Sequence, residues 1–95
     1  MALLFSLREF GSTFATRGRG AELRDVVLAR RTDEQAVVID FADVTNVSYS
    51  FADEFVGKLA SERPDGLRVE LINMAGTVDQ TVHRARQRRT GALAY

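Results

Sequence analysis

The sequence predicts an α/β domain in which a small mixed, mainly parallel sheet of about four strands packs against about three helices. Strand patterns alternate with helix patterns along the chain, and this order builds sheets covered by helices. The central strand is predicted from Val37-Val38-Ile39, an apolar run of strand length. With 95 residues, 45% of them hydrophobic, the chain suits one small domain, 1–95, with one modest core.

The N-terminal third predicts two short strands and a helix. Residues 3–9 alternate between apolar and polar side chains, which indicates a strand, and residues 14–15 favour a second short strand. Two glycines within residues 16–20 indicate a break in the chain. A helix is expected behind them, over about 21–31, because its apolar residues fall on one stripe.

The centre of the chain predicts a strand, a loop and a second helix. A polar connection at 32–35 leads into the strand at 36–41. This strand lacks alternation, as expected for a central strand that is covered on both faces. A loop over 42–49 follows, and apolar residues three, four and seven apart then predict a helix over about 51–62.

The C-terminal third predicts a turn, a strand and a third helix. Pro64-Asp65-Gly66 is typical of a turn, and residues 67–72 favour a strand. Thr77-x-x-Gln80 is a capping pattern, so a helix is expected from there to about Arg89. Residues 90–95 are expected to form a frayed, flexible tail.

The junction between the central strand and the second helix carries the clearest local signal. Ser50 is followed three residues later by Asp53, a pattern in which the serine oxygen accepts a free backbone N–H at the helix start. The acid then lies in the first turn, where the helix dipole favours it. Ser50 is therefore predicted to be the N-cap of the second helix, and Asp53 its capping acid.

Composition excludes several kinds of site and favours a cytoplasmic protein. There is no cysteine, and His83 is the only histidine, so zinc sites built from cysteines or several histidines are excluded. The N-terminus lacks the pattern of a signal peptide, and no apolar run approaches the roughly 20 residues that cross a bilayer. We expect a soluble cytoplasmic protein with no cofactor and no membrane contact.

Charge is unevenly distributed although the net charge is zero. Residues 1–31 and 77–95 each carry +3, whereas residues 33–62 carry −6. An acidic rim of this kind could steer a basic partner. The alternative is that these are ordinary surface charges, solvated by water and without a role in binding.

The basic segments allow two further interpretations. Thr16, Arg17 and Arg19 precede a helix and are candidates to bind an anion, the alternative being a turn with solvated arginines. The third helix ends with a basic group, which nucleic-acid binding would need. The chain lacks the overall positive charge and interleaved aromatics for that function, so the group is interpreted as a complement to the helix dipole. Its members are Arg84, Arg86, Arg88 and Arg89.

Three carboxylates are candidates for a catalytic or metal-binding role. Asp40 ends the central strand, where α/β sheets place ligand crevices, and Asp53 and Glu54 follow nearby in the sequence. Three such groups could bind a divalent metal or act as acid and base. No nucleophile with an adjacent base is visible, so we expect neither catalysis nor a bound metal.

The residues around this junction resemble a known family. The run Val38-Ile39-Asp40-Phe41-Ala42-Asp43-Val44-Thr45-Asn46-Val47-Ser48-Tyr49-Ser50-Phe51-Ala52-Asp53-Glu54 is similar to the core of STAS-like domains. It is closest to a small bacterial branch whose helix opens with Ser-Phe-Ala-Asp-Glu. Phe10-Gly11, residues 16–20 and Asn73 also fit that branch, so the resemblance covers most of residues 1–85. It implies a β-sheet packed on helices.

The resemblance also implies a candidate switch. In the related anti-sigma factor antagonists, the segment after the central strand ends in Asp-Ser-Ser-Gly, and a partner kinase with a histidine-kinase-type ATPase fold phosphorylates the second serine. Aligned on the strand, that serine falls on Ser50. This sequence departs from the pattern with Ser48, Tyr49 and Phe51 in place of the acid, the first serine and the glycine.

These observations lead to a functional prediction with one main alternative. The leading hypothesis is a non-enzymatic regulatory module that binds a histidine-kinase-type ATPase or an anti-sigma-like factor, with Ser50 as the phosphorylation candidate. The alternative is a domain that senses a nucleotide or another anion through Arg17, Arg19 and the helix start. Self-association through edge strands is left open. The predicted partner-binding residues are Ser48, Tyr49, Phe51, Asp53 and Glu54.

Overall fold

A computed structural model describes residues 2–32, 36–61 and 67–90. Within these residues, five strands and four α-helices follow one another. They are β1 (Ala2–Ser6), β2 (Thr13–Phe14), α1 (Arg17–Arg30), β3 (Ala36–Asp40), β4 (Asn46–Val47), α2 (Tyr49–Ala52), α3 (Lys58–Ser61), β5 (Val69–Ile72) and α4 (Gly76–Thr90). A 3₁₀ turn at Leu7–Glu9 follows β1. A π-helical segment at Asp53–Gly57 joins α2 to α3 into one continuous helix, which we call the second helical run.

The strands form two small sheets whose described pairings are all parallel. β3 lies between β1 and β5, with Phe5 opposite Ile39 and Ile39 opposite Leu71. The short strands β2 and β4 form a separate pair. The α/β class is therefore confirmed, but the expected mixed sheet of about four strands is a parallel arrangement of three plus two.

The core lies between the three-stranded sheet and the helices. The inward positions of β3, Val37 and Ile39, are fully buried, and Phe5 of β1 stacks on Phe10 with ring centroids 5.3 Å apart. The other residues that the core buries come mainly from the helices. The helical ones are Leu23 and Val27 of α1, Phe51, Ala52, Phe55, Val56 and Leu59 of the second helical run, and Val78, Val82 and Ala85 of α4. Leu7, Phe14, Phe41, Val47 and Leu67 complete the core.

The prediction that β3 is covered on both faces is wrong. Burial alternates along the strand, and Val38 is only half-buried. On the same face of the sheet, Leu4 is 58% exposed and Ile72 is 39% exposed. β-Branched residues occupy both faces of β3, so composition hides the alternation that burial shows.

Helix α1 begins four residues before its predicted start. Thr16 is its N-cap, and the Thr16 hydroxyl oxygen accepts a hydrogen bond from the backbone N–H of Arg19 at 3.1 Å. Gly18 and Gly20 therefore lie inside the helix rather than in a break. Gly20 is buried where α1 meets the second helical run: a Cβ at this position would lie 2.9 Å from the backbone oxygen of Phe51. The glycine marks a close approach of two backbones, not a turn.

Other boundaries also differ from the predictions. The short strand β4 lies within the predicted loop over 42–49, where a two-residue strand gives too little pattern to be recognised. Thr77 lies inside α4, which begins at Gly76, so it is not the N-cap. The predicted turn at 64–66, most of the connection at 32–35 and the tail beyond Thr90 lie outside the described residues. Within the described ranges, no helix is both long and apolar enough to cross a membrane.

Candidate functional site

The corner between β4 and α2, residues 48–50, is organised by Ser48. Its backbone N–H donates to the carbonyl of Phe14, and its hydroxyl donates to the carbonyl of Ala15 at 2.8 Å. The same hydroxyl oxygen accepts from the N–H of Phe51 at 3.0 Å, so Ser48 is the N-cap of α2. The predicted capping role of Ser50 is wrong, because pairing of β4 with β2 places Ser48 at the junction.

Ser50 does not cap the helix. It lies in the first turn of α2, its side chain is exposed, and its hydroxyl makes no hydrogen bond to the described residues. Asp53 is five residues beyond the cap, so it is not the capping acid either. The corner therefore separates two roles: Ser48 holds the helix start, and Ser50 presents a hydroxyl to solvent.

The aromatic residues on either side of Ser50 pack inward. Phe51 is fully buried, and its ring lies 5.0 Å from that of Phe14 and 5.5 Å from that of Phe55. Tyr49 is half-buried against the core, and its hydroxyl is shielded from water without a partner among the described residues. Of the two aromatic residues predicted to bind a partner, only Tyr49 reaches the surface in this conformation.

The two predicted acidic contacts, Asp53 and Glu54, are buried in the π-helical segment at 8% and 6% exposure. Asp53 accepts two hydrogen bonds from Arg89 of α4, from Nε at 2.6 Å and from Nη2 at 3.0 Å. Nη1 of Arg17, in α1, donates to Asp53 Oδ2 at 2.9 Å, so this oxygen accepts from both arginines. A single carboxylate thus joins three helical elements.

Glu54 completes this ionic cluster. Its carboxylate oxygens lie 2.7 Å from Nη1 of Arg24, 3.0 Å from Nζ of Lys58 and 3.1 Å from Nη1 of Arg17. Arg24 also donates to the backbone carbonyl of Glu54 at 2.6 Å. We call the six side chains the ionic cluster: Arg17, Arg24, Asp53, Glu54, Lys58 and Arg89.

Both carboxylates of the ionic cluster are held in the ionised form. Hydrogen bonds from Arg89, and then from Arg17, lower the pKa of Asp53 to about 2 against the opposing effect of burial. Hydrogen bonds from Arg24, Lys58 and Arg17 lower the pKa of Glu54 to about 2 in the same way. Four cations thus surround two anions, which leaves the cluster with a net charge of +2.

The expected acidic rim is therefore not formed around Asp53 and Glu54, where the local net charge is positive. Asp53 and Glu54 make the central segment acidic in sequence, but in the fold they are covered by cations from α1, α3 and α4. Summing charge along the chain fails here because ion pairs join residues 36 positions apart.

Close approach around the cluster depends on Gly57 as well as Gly20. A Cβ on Gly57 would lie 3.0 Å from Cδ of Arg89 and 3.1 Å from Oδ1 of Asp53. The absence of a side chain lets Arg89 cross the helix surface to reach its carboxylate.

The predicted anion site separates into two internal contacts. Thr16 caps α1, and Arg17 lies on Asp53 and Glu54. The guanidinium of Arg19 pairs with Glu22, donates to the carbonyl of Phe10 at 3.2 Å, and stacks over the Phe10 ring. The two arginines thus have different partners and do not converge on one point.

Asp40 belongs to a different environment from Asp53 and Glu54. At the carboxyl end of β3, its Oδ1 accepts from the side-chain amide of Asn73 and from the N–H of Ala42, both at 2.9 Å. These bonds, that of Asn73 first, lower the pKa of Asp40. No group of three acidic or histidine side chains that could hold a metal ion is formed by residues 2–32, 36–61 and 67–90. The three carboxylates considered for catalysis are thus not assembled as a metal centre.

Most of the ionic cluster has no local signal in the sequence. Glu54 and Lys58 are four residues apart, so their ion pair could have been predicted from helical spacing. The position of Arg89 near the end of the last helix predicts only a complement to the helix dipole, but Arg89 forms a bidentate pair with Asp53. Arg24 carried no local signal, because its partner is 30 residues away.

Comparison with known proteins supports a family assignment. Residues 19–79, which include most of α1 and all of β3, the corner and the π-helical segment, match the model of a STAS-like domain of unknown function (DUF4325). No curated protein and no solved structure matches the chain. The parallel sheet packed on helices agrees with this family, which confirms the resemblance seen in the sequence. The chain belongs to the family of STAS-like domains of unknown function.

Proposed function

We propose that this protein is a non-enzymatic regulatory module that binds a histidine-kinase-type ATPase at the corner formed by residues 48–50 and is phosphorylated by it on Ser50. STAS-like domains are generally non-catalytic. The observation that carries the proposal concerns Ser50: its side chain is exposed and its hydroxyl makes no hydrogen bond within the part of the chain that the structure describes, whereas both neighbouring residues are packed or hydrogen-bonded.

The proposed reaction is transfer of the γ-phosphoryl group from ATP bound to the partner. Ser50 Oγ attacks the γ-phosphorus, a new O–P bond forms, the bond to the leaving ADP breaks, and the serine proton passes to a base of the partner. Ser50 is suited to this role because its hydroxyl can react without breaking the helix cap, which Ser48 forms. A serine that capped the helix would have to leave its N–H partner first.

The structure narrows the surface that a partner could contact. Tyr49 and Ser50 reach the surface, together with the half-buried Ser48. A partner cannot contact the buried Phe51, Asp53 and Glu54 extensively without opening the fold. These three residues would therefore support the contact surface from below. The resulting surface is small, so we expect a transient complex.

The test uses purified histidine-kinase-type ATPases, ATP and the full chain, with intact mass as the readout. We expect one added phosphoryl group in the wild type and none in Ser50→Ala. Ser12→Ala is a matched control, because Ser12 is also exposed but lies outside the corner. Phosphorylation of Ser50→Ala at the wild-type level would refute the assignment of Ser50.

Binding is tested separately with the same ATPases. Co-purification with the wild type, Ser50→Ala and Ser50→Asp should show that a negative charge at this position changes partner retention. If both substitutions leave retention unchanged while their circular dichroism spectra match the wild type, Ser50 is not a switch.

A second candidate is the sensing of a nucleotide or another anion near Arg17. It is favoured by the net positive charge of the ionic cluster and by the side chain of Arg17, which is 49% exposed. Arg19 contributes less because it already has internal partners. Millimolar nucleotide should raise the melting temperature of the wild type but not of Arg17→Gln, since a ligand that binds only the folded state stabilises it. An unchanged wild type would count against this candidate.

A further inference from the structure

The position of Ser50 relative to the ionic cluster suggests what happens after phosphorylation. Ser50 precedes Asp53 by three residues and Glu54 by four, so the three lie on one side of the helical run. Residues with this spacing have Cβ atoms roughly 5–6 Å apart. Arg17 bridges Asp53 and Glu54, so it lies on the side of the helix that Ser50 shares.

Arg17 retains donors for another anion. Both of its ion pairs are made by Nη1, at 2.9 Å to Asp53 and 3.1 Å to Glu54. Its Nη2 and Nε make no hydrogen bond to the described residues. The Arg17 side chain is 49% exposed, so it is accessible to a further anion. A guanidinium can hold two oxygens of a phosphate with two parallel hydrogen bonds.

The local charge removes the main objection to a phosphoryl group at this position. From the sequence, two more negative charges beside Asp53 and Glu54 would be repelled. In the fold, four cations surround the two carboxylates and leave a charge of +2. A phosphoserine carries roughly −1.5 to −2 at neutral pH, so it would neutralise the cluster rather than add to an acidic patch.

We infer that Arg17 is the internal receptor for a phosphoryl group on Ser50, binding it through Nε and Nη2 while Nη1 stays on the carboxylates. This inference rests on the proposed function, because it requires phosphorylation of Ser50. The captured phosphate ties the first turn of α2 to the first turn of α1. It also removes the positive surface beside the corner, which is the feature that a partner would sense.

The test installs phosphoserine at position 50 during translation, so no kinase is needed. The pKa of the second phosphate ionisation is then followed by ³¹P NMR. Arg17 favours the dianion, so we expect this pKa to be lower in the wild type than in Arg17→Gln by about half a unit or more. Arg8→Gln is the matched control, because Arg8 is also an exposed arginine in an ion pair, with Asp43. It should leave the wild-type value unchanged.

A second variant guards against loss of the fold. Arg17→Lys keeps a cation for the carboxylates but lacks the second edge of the guanidinium, so its phosphate pKa should fall between those of the wild type and Arg17→Gln. Equal pKa values in the wild type and both Arg17 variants would overturn the inference, as would a higher value in the wild type. Because no kinase takes part, this result is independent of the phosphorylation assay above.

Discussion

Replacing Gly20 with alanine should destabilise the protein even though alanine is the better helix former. The added Cβ would lie 2.9 Å from the carbonyl oxygen of Phe51, 3.1 Å from Cβ of Glu54 and 3.3 Å from the backbone nitrogen of Phe55. Two of these contacts are backbone atoms, so α1 must move away from the second helical run. Overpacking of this kind costs about 1–3 kcal/mol, whereas the gain in helix propensity is about 1 kcal/mol at most. Subtracting that gain leaves an expected net loss of up to about 2 kcal/mol.

Gly18 provides the matched control within the same helix. A Cβ on Gly18 meets nothing within 4 Å, so Gly18→Ala should stabilise the protein by about 0.5 kcal/mol. Urea unfolding measures both free energies, and thermal melting should shift by about 4–8 °C per kcal/mol. The two substitutions thus have opposite predicted signs. If Gly20→Ala proves as stable as Gly18→Ala, the close approach of α1 to the second helical run is wrong.

Three further predictions concern the ionic cluster and the helix cap. Because folding lowers the pKa values of Asp53 and Glu54 from 3.8 and 4.5 to about 2, their contribution to stability is complete above the unfolded values and is lost as pH falls from about 4.5 to about 2. Urea unfolding along that range should show this loss, and a flat profile would contradict it. Glu54→Gln should lower the free energy of unfolding by about 1–2 kcal/mol at neutral pH, which is less than for a fully buried ion pair because the cations around Glu54 are partly exposed. The stability of this variant should also depend less on acid pH than that of the wild type. Ser48→Ala should cost about 1 kcal/mol, whereas Ser50→Ala should change stability by less than about 0.5 kcal/mol; the reverse order would return the cap to Ser50.

The local sequence pattern was sufficient to predict those elements whose structure depends mainly on residues close together in the sequence. Val37-Val38-Ile39 predicted β3, and the apolar spacing from Phe51 onward predicted the second helical run. The cap shows the limit of such patterns. Ser50-x-x-Asp53 is a better capping motif than the residues after Ser48, yet Ser48 caps the helix because β4 pairs with β2 just before it.

The sequence by itself determined the α/β class, the order of the main elements and the family, since these depend on hydrophobic periodicity and on a contiguous motif. The resemblance to STAS-like domains also made Ser50 the phosphorylation candidate. Only the tertiary structure decided that Asp53 and Glu54 are buried and that Arg17, Arg24 and Arg89 reach them. The physical reason is distance along the chain: charges 30 or more positions apart become neighbours through helix packing, and no local pattern encodes that packing.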